Sequence, residues 1–60
     1  MEKLLGQLLK EVREAGGTTA QLLDQISFEE DPVAHHIINE IDSQLSIWED
    51  EITDLINRYS

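Results

Sequence analysis

The stretch DPVAHHIINEIDSQLSIWEDEITDLINRY, residues 31 to 59, decides the fold of this chain. Its apolar residues recur at alternating steps of four and three, the heptad spacing of helices that pack along a seam. The members of this predicted seam are Ala34, Ile38, Ile41, Leu45, Trp48, Ile52, Leu55 and Tyr59. Asp31 suits the N-cap and Pro32 the first helical position, and no glycine or proline follows them. The sequence therefore predicts one long helix over residues 32 to 59.

The N-terminal part of the chain predicts two shorter helices separated by a glycine pair. Leucine and valine recur there at helical spacing until Gly16 and Gly17, which can adopt the left-handed conformation that closes a helix. Thr18 and Gln21 then match a capping box, the signature of a second helix start. The predicted elements are helices over residues 2 to 15 and 19 to 26, with loops over residues 15 to 18 and 27 to 31.

The fold class that follows is all-α, with two short N-terminal helices and one long C-terminal helix in a single domain over residues 1 to 60. A chain of 60 residues buries only about 60% of the surface that its unfolded form exposes, and without cysteine no disulfide supports it. The two short helices cannot cover the long one. We therefore expect a helical hairpin or bundle completed by dimerisation. The predicted self-association residues are Ile38, Ile41, Leu45, Trp48, Ile52, Leu55 and Tyr59.

The charge of the chain is strongly uneven. Of the 13 acidic residues, three lie in the first 20 positions beside three basic residues, while the rest of the chain holds the other acids and only Arg58 as a base. The net charge is −9. Such a surface repels nucleic acid and anionic lipid, so we expect neither direct nucleic-acid binding nor membrane binding. A basic protein is the natural complement, and the alternative is that the charge serves only solubility or adaptation to high salt.

The function that these observations favour is a small acidic interaction module, a regulator or inhibitor that docks on a basic and possibly nucleic-acid-binding protein. The long helix would supply the contacts. The predicted partner-binding residues are Glu40, Asp42, Ile47, Glu49, Asp50, Glu51 and Asp54. The main alternative is a structural or oligomerisation module that partners its own copies through a coiled coil.

Two adjacent histidines suggest a further alternative, a metal-binding helical protein. His35 and His36 point about 100° apart on a helix, so they cannot readily bind one ion together, but His36 has Glu40 one turn away. The pattern falls short of the HExxH arrangement, and exposed histidines in helix-surface ion pairs are the favoured interpretation. No nucleophile motif or glycine-rich phosphate loop is present. We therefore expect neither catalysis nor a cofactor.

The segments LLKEVREAGGTTAQLLDQI, residues 8 to 26, and VAHHIINEI, residues 33 to 41, resemble the helices of helix-turn-helix or winged-helix transcription factors. The resemblance implies a threonine-started helix followed by a recognition helix. The chain departs from this pattern because SFEED replaces the usual short turn and the third helix carries no Arg or Lys in the matched segment. These departures fit a degenerate regulator that no longer binds DNA and has retained a protein-interaction role. We expect a cytoplasmic location, since no apolar run is long enough to span a membrane.

Overall fold

The chain forms a hairpin of two antiparallel helices. The computed structural model describes residues 1 to 59, with α1 at Glu2–Gln25 and α2 at Pro32–Tyr59. The described part is a thin rod with extents of 46 × 14 × 10 Å. The all-α class is confirmed, but the predicted arrangement of two short helices and one long helix is wrong. The predicted long helix has the bounds expected for it, whereas the two predicted short helices are one.

The error lies at the glycine pair, where α1 continues without a break. No described residue has a positive φ, so Gly16 and Gly17 do not close a helix. The threonines that follow do not cap one either. The Thr18 hydroxyl donates to the Glu14 carbonyl at 3.2 Å, and Thr19 Oγ1 lies 2.9 Å from the Gly16 carbonyl oxygen. These are bonds back to the preceding turn, typical of threonine inside a helix.

Packing against α2 explains why α1 tolerates two glycines. A glycine in a helix costs about 0.5 to 1 kcal/mol relative to alanine, so the pair weakens the helix without forbidding it. The turns on both sides of the pair contact α2. Arg13 bonds Glu49 before it, and Thr19 bonds Asp42 after it. A break at the glycines would give up one of these contacts, and tertiary packing therefore overrides local propensity.

The turn between the helices ends at the cap that the sequence predicts. Asp31 Oδ1 accepts a hydrogen bond from the Ala34 N–H at 3.1 Å, which satisfies one free donor at the start of α2. Before the turn, the Ile26 N–H still bonds the Leu22 carbonyl at 2.8 Å, and Ile26 is extended. The Phe28 ring meets the His35 ring edge to face, with centroids 5.5 Å apart. These contacts hold the chain reversal in place.

Two polar contacts define the register of the helices. Thr19 Oγ1 lies 2.6 Å from Asp42 Oδ1, and Arg13 Nε donates to Glu49 Oε1 at 3.0 Å. Extending this antiparallel register by steps of three and four gives layers of facing residues. The layers are Ile26 with His35, Leu23 with Ile38, Thr19 with Asp42, Gly16 with Leu45, Val12 with Glu49, Leu9 with Ile52, and Leu5 with Ile56. All these inner residues are buried or half-buried, and only Ala15 and Ala34 join them among the described residues.

The predicted seam of α2 is only partly directed toward α1. Ile38, Leu45 and Ile52 lie on the inner line, where they face α1 of the same chain. Apart from the half-buried Ala34, the other predicted members are exposed, because the inner line passes through Asp42, Glu49 and Ile56, one position beyond Ile41, Trp48 and Leu55. The exposed members are Ile41, Trp48, Leu55 and Tyr59. Polar partners on α1 explain the shift, since they draw two carboxylates inward.

Replacing Gly17 by alanine should stabilise the protein. The position is exposed and helical, and an added Cβ would meet nothing within 4 Å. We expect the free energy of unfolding to rise by about 0.5 to 1 kcal/mol, as measured by urea denaturation followed by circular dichroism. Gly6→Ala is the matched control, because Gly6 is also exposed and lies inside the helix that the sequence itself predicts. It should give the same gain in stability. A loss of stability at Gly17 alone would mean that the glycine closes a helix.

Candidate protein-interaction surface

The outer surface of α2 carries most of the acids that were predicted to bind a partner. Glu40, Ile47 and Asp54 follow one another at intervals of seven residues and so lie on one line along the helix. Asp50 and Glu51 flank Ile47 within one turn. All five are exposed, and Ile47 retains 51% of its accessible surface. We call these five residues the acidic face.

The two remaining predicted partner residues are engaged inside the hairpin instead. Asp42 is half-buried against Thr19, which is itself only 6% exposed. The Thr19 hydroxyl has one proton to share between Asp42 and the Gly16 carbonyl, and the charged oxygen is the stronger acceptor. Glu49 pairs with Arg13 at a more exposed position, where an ion pair contributes at most about 1 kcal/mol. Both acids therefore contact α1 within the hairpin.

A second surface, absent from the sequence predictions as a unit, runs along one side of the hairpin. Leu8 and Leu22 each precede an inner residue by one position, and so do Ile41, Trp48 and Leu55. That offset is about 100° around a helix. Because the helices run in opposite directions, it leads to the same side of the hairpin in both. With their exposed neighbours they form what we call the apolar side: Met1, Leu4, Leu8, Leu22, Ile37, Ile41, Trp48 and Leu55.

The opposite side of the hairpin has a different character. Its residues each follow an inner residue by one position, and all are exposed. They are polar or small: Gly6, Arg13, Ala20, Asn39, Ser46 and Thr53. The hairpin as a whole is therefore amphipathic across its width. The heptad pattern shows this amphipathic character when residues 2 to 25 are treated as one helix. The predicted break at the glycines placed Leu8 and Leu22 in two different helices, so their common side was not predicted.

The two histidines have separate surroundings. His36 Nε2 lies 2.9 Å from Glu40 Oε1 on the exposed surface, as the one-turn spacing predicts. His35 is half-buried at the turn, where its ring packs against Phe28. Within residues 1 to 59, no group of three or more His, Asp or Glu side chains is placed to hold a metal ion. The His36 and Glu40 pair thus has no third protein ligand in one chain.

The grooves on the surface are shallow and lie along α2. One, of about 300 Å³, is lined by Ile37, Glu40, Ile41, Gln44 and Trp48. Another, of about 420 Å³, is lined by Glu51, Asp54, Leu55 and Arg58. Each groove is lined both by residues of the apolar side and by neighbouring charged residues. Grooves bordered by a single helix suit a side chain of a docking protein better than they enclose a small substrate.

Replacing Thr19 by valine should destabilise the hairpin while keeping the shape of the side chain. Asp42 would lose its donor in a half-buried position, and we expect the free energy of unfolding to fall by about 1 to 2 kcal/mol. Urea denaturation at fixed protein concentration measures the change. Thr18→Val is the matched control, since the exposed Thr18 hydroxyl bonds only the Glu14 carbonyl, and its effect should stay within about 0.5 kcal/mol. Equal losses in the two variants would contradict the role given to the Thr19 contact.

Known proteins were compared with this chain at the level of sequence and of structure. The resemblance to helix-turn-helix factors is not supported by the fold, because the predicted threonine-started helix is not a separate helix but the C-terminal part of α1. No helix of the described residues is long and apolar enough to cross a lipid bilayer. Comparison with protein families, curated proteins and solved structures gave no match for this chain.

Proposed function

We propose that this protein is a small interaction module that binds a basic protein surface through its acidic face. The observation that carries the proposal is the exposure of four carboxylates around one exposed isoleucine on the outer surface of α2. These exposed side chains lie on the outer surface of α2 and do not face α1. Their contribution to stability is therefore small, and they are accessible to another molecule, although Glu40 also pairs with the exposed His36.

Charge would act mainly on the encounter with the partner. The net charge of −9 attracts a basic surface from a distance, and complementary charge can raise association rates by about ten- to a thousandfold. Arg58 is the only base in α2, so little on this helix neutralises the acids. Ile47 would then supply an apolar contact at the centre of the acidic face. A regulator or inhibitor of a nucleic-acid-binding protein is the sharpest form of the proposal, since regularly spaced carboxylates can occupy sites built for phosphates.

The second candidate function is an oligomerisation module that binds its own copies. The exposed apolar side favours it, because patches of that kind mark interaction sites. Salt separates the two candidates: contacts between opposite charges weaken as salt rises, whereas apolar contacts do not. The two functions use different surfaces and can coexist in one protein.

Neutralising Asp50 and Asp54 should weaken binding to the basic partner without disturbing the hairpin. We expect the variant Asp50→Asn with Asp54→Asn to lose about tenfold in affinity, because two charge contacts at an exposed interface are removed. The measurement is capture of lysate proteins on the tagged chain, followed by titration of the captured protein at low and high salt.

The matched control is Glu14→Gln with Asp24→Asn, which removes the same charge from exposed positions of α1. It should bind as the unmodified chain does. Equal weakening by both variants would mean that net charge, and not the acidic face, governs binding. Affinity that is unchanged by either variant and by salt would refute the proposed function.

A further inference from the structure

The apolar side of the hairpin is uncovered along its full length. Along this side, one line of positions spaced seven apart carries no ionisable side chain: Met1, Leu8, Ala15 and Leu22 in the N-terminal part, and Ala34, Ile41, Trp48 and Leu55 in α2. The next line outward adds Leu4 and Ile37 but also holds Glu11 and Glu51. Most of the large ones are well exposed, from 37% for Leu22 to 74% for Met1. In a chain with 28% charged residues, so long an uncharged stripe indicates a surface that contacts something apolar.

The surface area of the hairpin indicates how large the missing contact is. Among the described residues only Ile52 is a buried apolar side chain, at 6% exposure, and the accessible surface is 4715 Å². A compact folded monomer of 6.9 kDa would expose about 4,000 Å². The excess is about 700 Å², close to the roughly 800 Å² that each partner buries in a standard protein interface. Two copies would together bury about 1,400 Å², enough for a stable dimer.

We propose that the apolar side is a homodimer interface, in which two hairpins pack face to face as a four-helix bundle. The occupant is a second copy because its own apolar side has the same length, the same lack of charge and the required area. A two-fold symmetric interface joins the same patch on both copies. The acidic face lies on the outer surface of α2 and borders this contact at its edge, where Glu40, Glu51 and Asp54 line the two grooves, so two chains of charge −9 can approach with most of their acids outward.

Trp48 lies near the centre of this interface. The neighbouring Glu49 contacts Arg13, which is close to the middle of α1, so Trp48 sits halfway along the rod. Ala15 is near the same level on the same side, and its short side chain leaves room for a large one from the other copy. A two-fold axis through the middle of the apolar side places both indoles near it. Trp48, now 47% exposed, would become the most deeply buried large side chain of the dimer.

Salt should act on this interface in the opposite sense to the acidic face. Two copies repel each other through their net charge, and added salt screens that repulsion. The dimer should therefore tighten as salt rises, while binding of a basic protein weakens. The inference does not rest on the proposed function, since the two use different surfaces and respond oppositely to salt.

The test is the mass of the full chain in solution, measured by sedimentation equilibrium over a range of concentrations. We expect twice the 6.9 kDa of one chain, with a shift to the monomer on dilution. Ile41→Glu should raise the dissociation constant about a hundredfold, since each copy contributes the side chain to the buried contact. Ile47→Glu is the matched control: the same residue type, on the same helix and 51% exposed against 45% for Ile41, but outside the apolar side. It should leave the dimer intact.

Fluorescence of Trp48, the only tryptophan, gives an independent readout. The emission maximum should move to longer wavelength on dilution and in Ile41→Glu, but not in Ile47→Glu. If Ile41→Glu also loses helix in circular dichroism while Ile47→Glu keeps it, the proposal stands, because a side chain so exposed does little to hold one hairpin together. A wild-type chain that stays monomeric at all concentrations would overturn the proposal, and so would equal dissociation of the two variants.

Discussion

The contact between Thr19 and Asp42 fixes the register on which the rest of the structure depends. It joins the best-buried polar side chain of the hairpin to a half-buried carboxylate at 2.6 Å. A heptad interface made only of aliphatic residues can slip by a whole repeat at little cost, whereas a polar pair in its middle penalises every other alignment. With this register the carboxylates of α2 divide into two that face α1 and four that face solvent. The separation of an acidic face from an apolar side follows from the same alignment.

The sequence allowed the prediction of α2 and its cap, but not that of the hairpin. Pro32 and Asp31 are local signals whose effect needs no knowledge of other residues, and the structure has the expected bond from Asp31. Gly16 and Gly17 are also local signals, yet packing of α1 on α2 overrules them. Each glycine lowers the stability of the helix by about 1 kcal/mol relative to alanine, and the contacts with α2 on either side of the pair can offset that cost. Local reasoning succeeds at caps and fails where a tertiary contact is worth more than a propensity.

The candidate surface was predictable to the same limited extent. Four of the six acids of α2 lie on its exposed surface, but the sequence alone could not separate Asp42 and Glu49 from them, because that needs knowledge of their partners on α1. The apolar seam of α2 differed from the inner line by one position in alternate layers, because aliphatic residues occupy both. When a helix has apolar residues on two adjacent lines, their spacing alone does not tell which line packs against the other helix of the same chain. In α2 the second line is the one that the proposed dimer contact would cover.

The short turn between Ile26 and His35 has a consequence for how the hairpin forms. The layer next to it closes a loop of few residues, and each layer further from the turn becomes easier to close once the one before it is in place. Folding would then proceed from the turn toward the termini, in the manner of a zipper, with the fast kinetics of a low-contact-order topology. Leu5 and Ile56 would meet last and separate first. The first turn of α1 and the last turn of α2, side by side at the far end of the rod, are therefore where we expect the hairpin to fray.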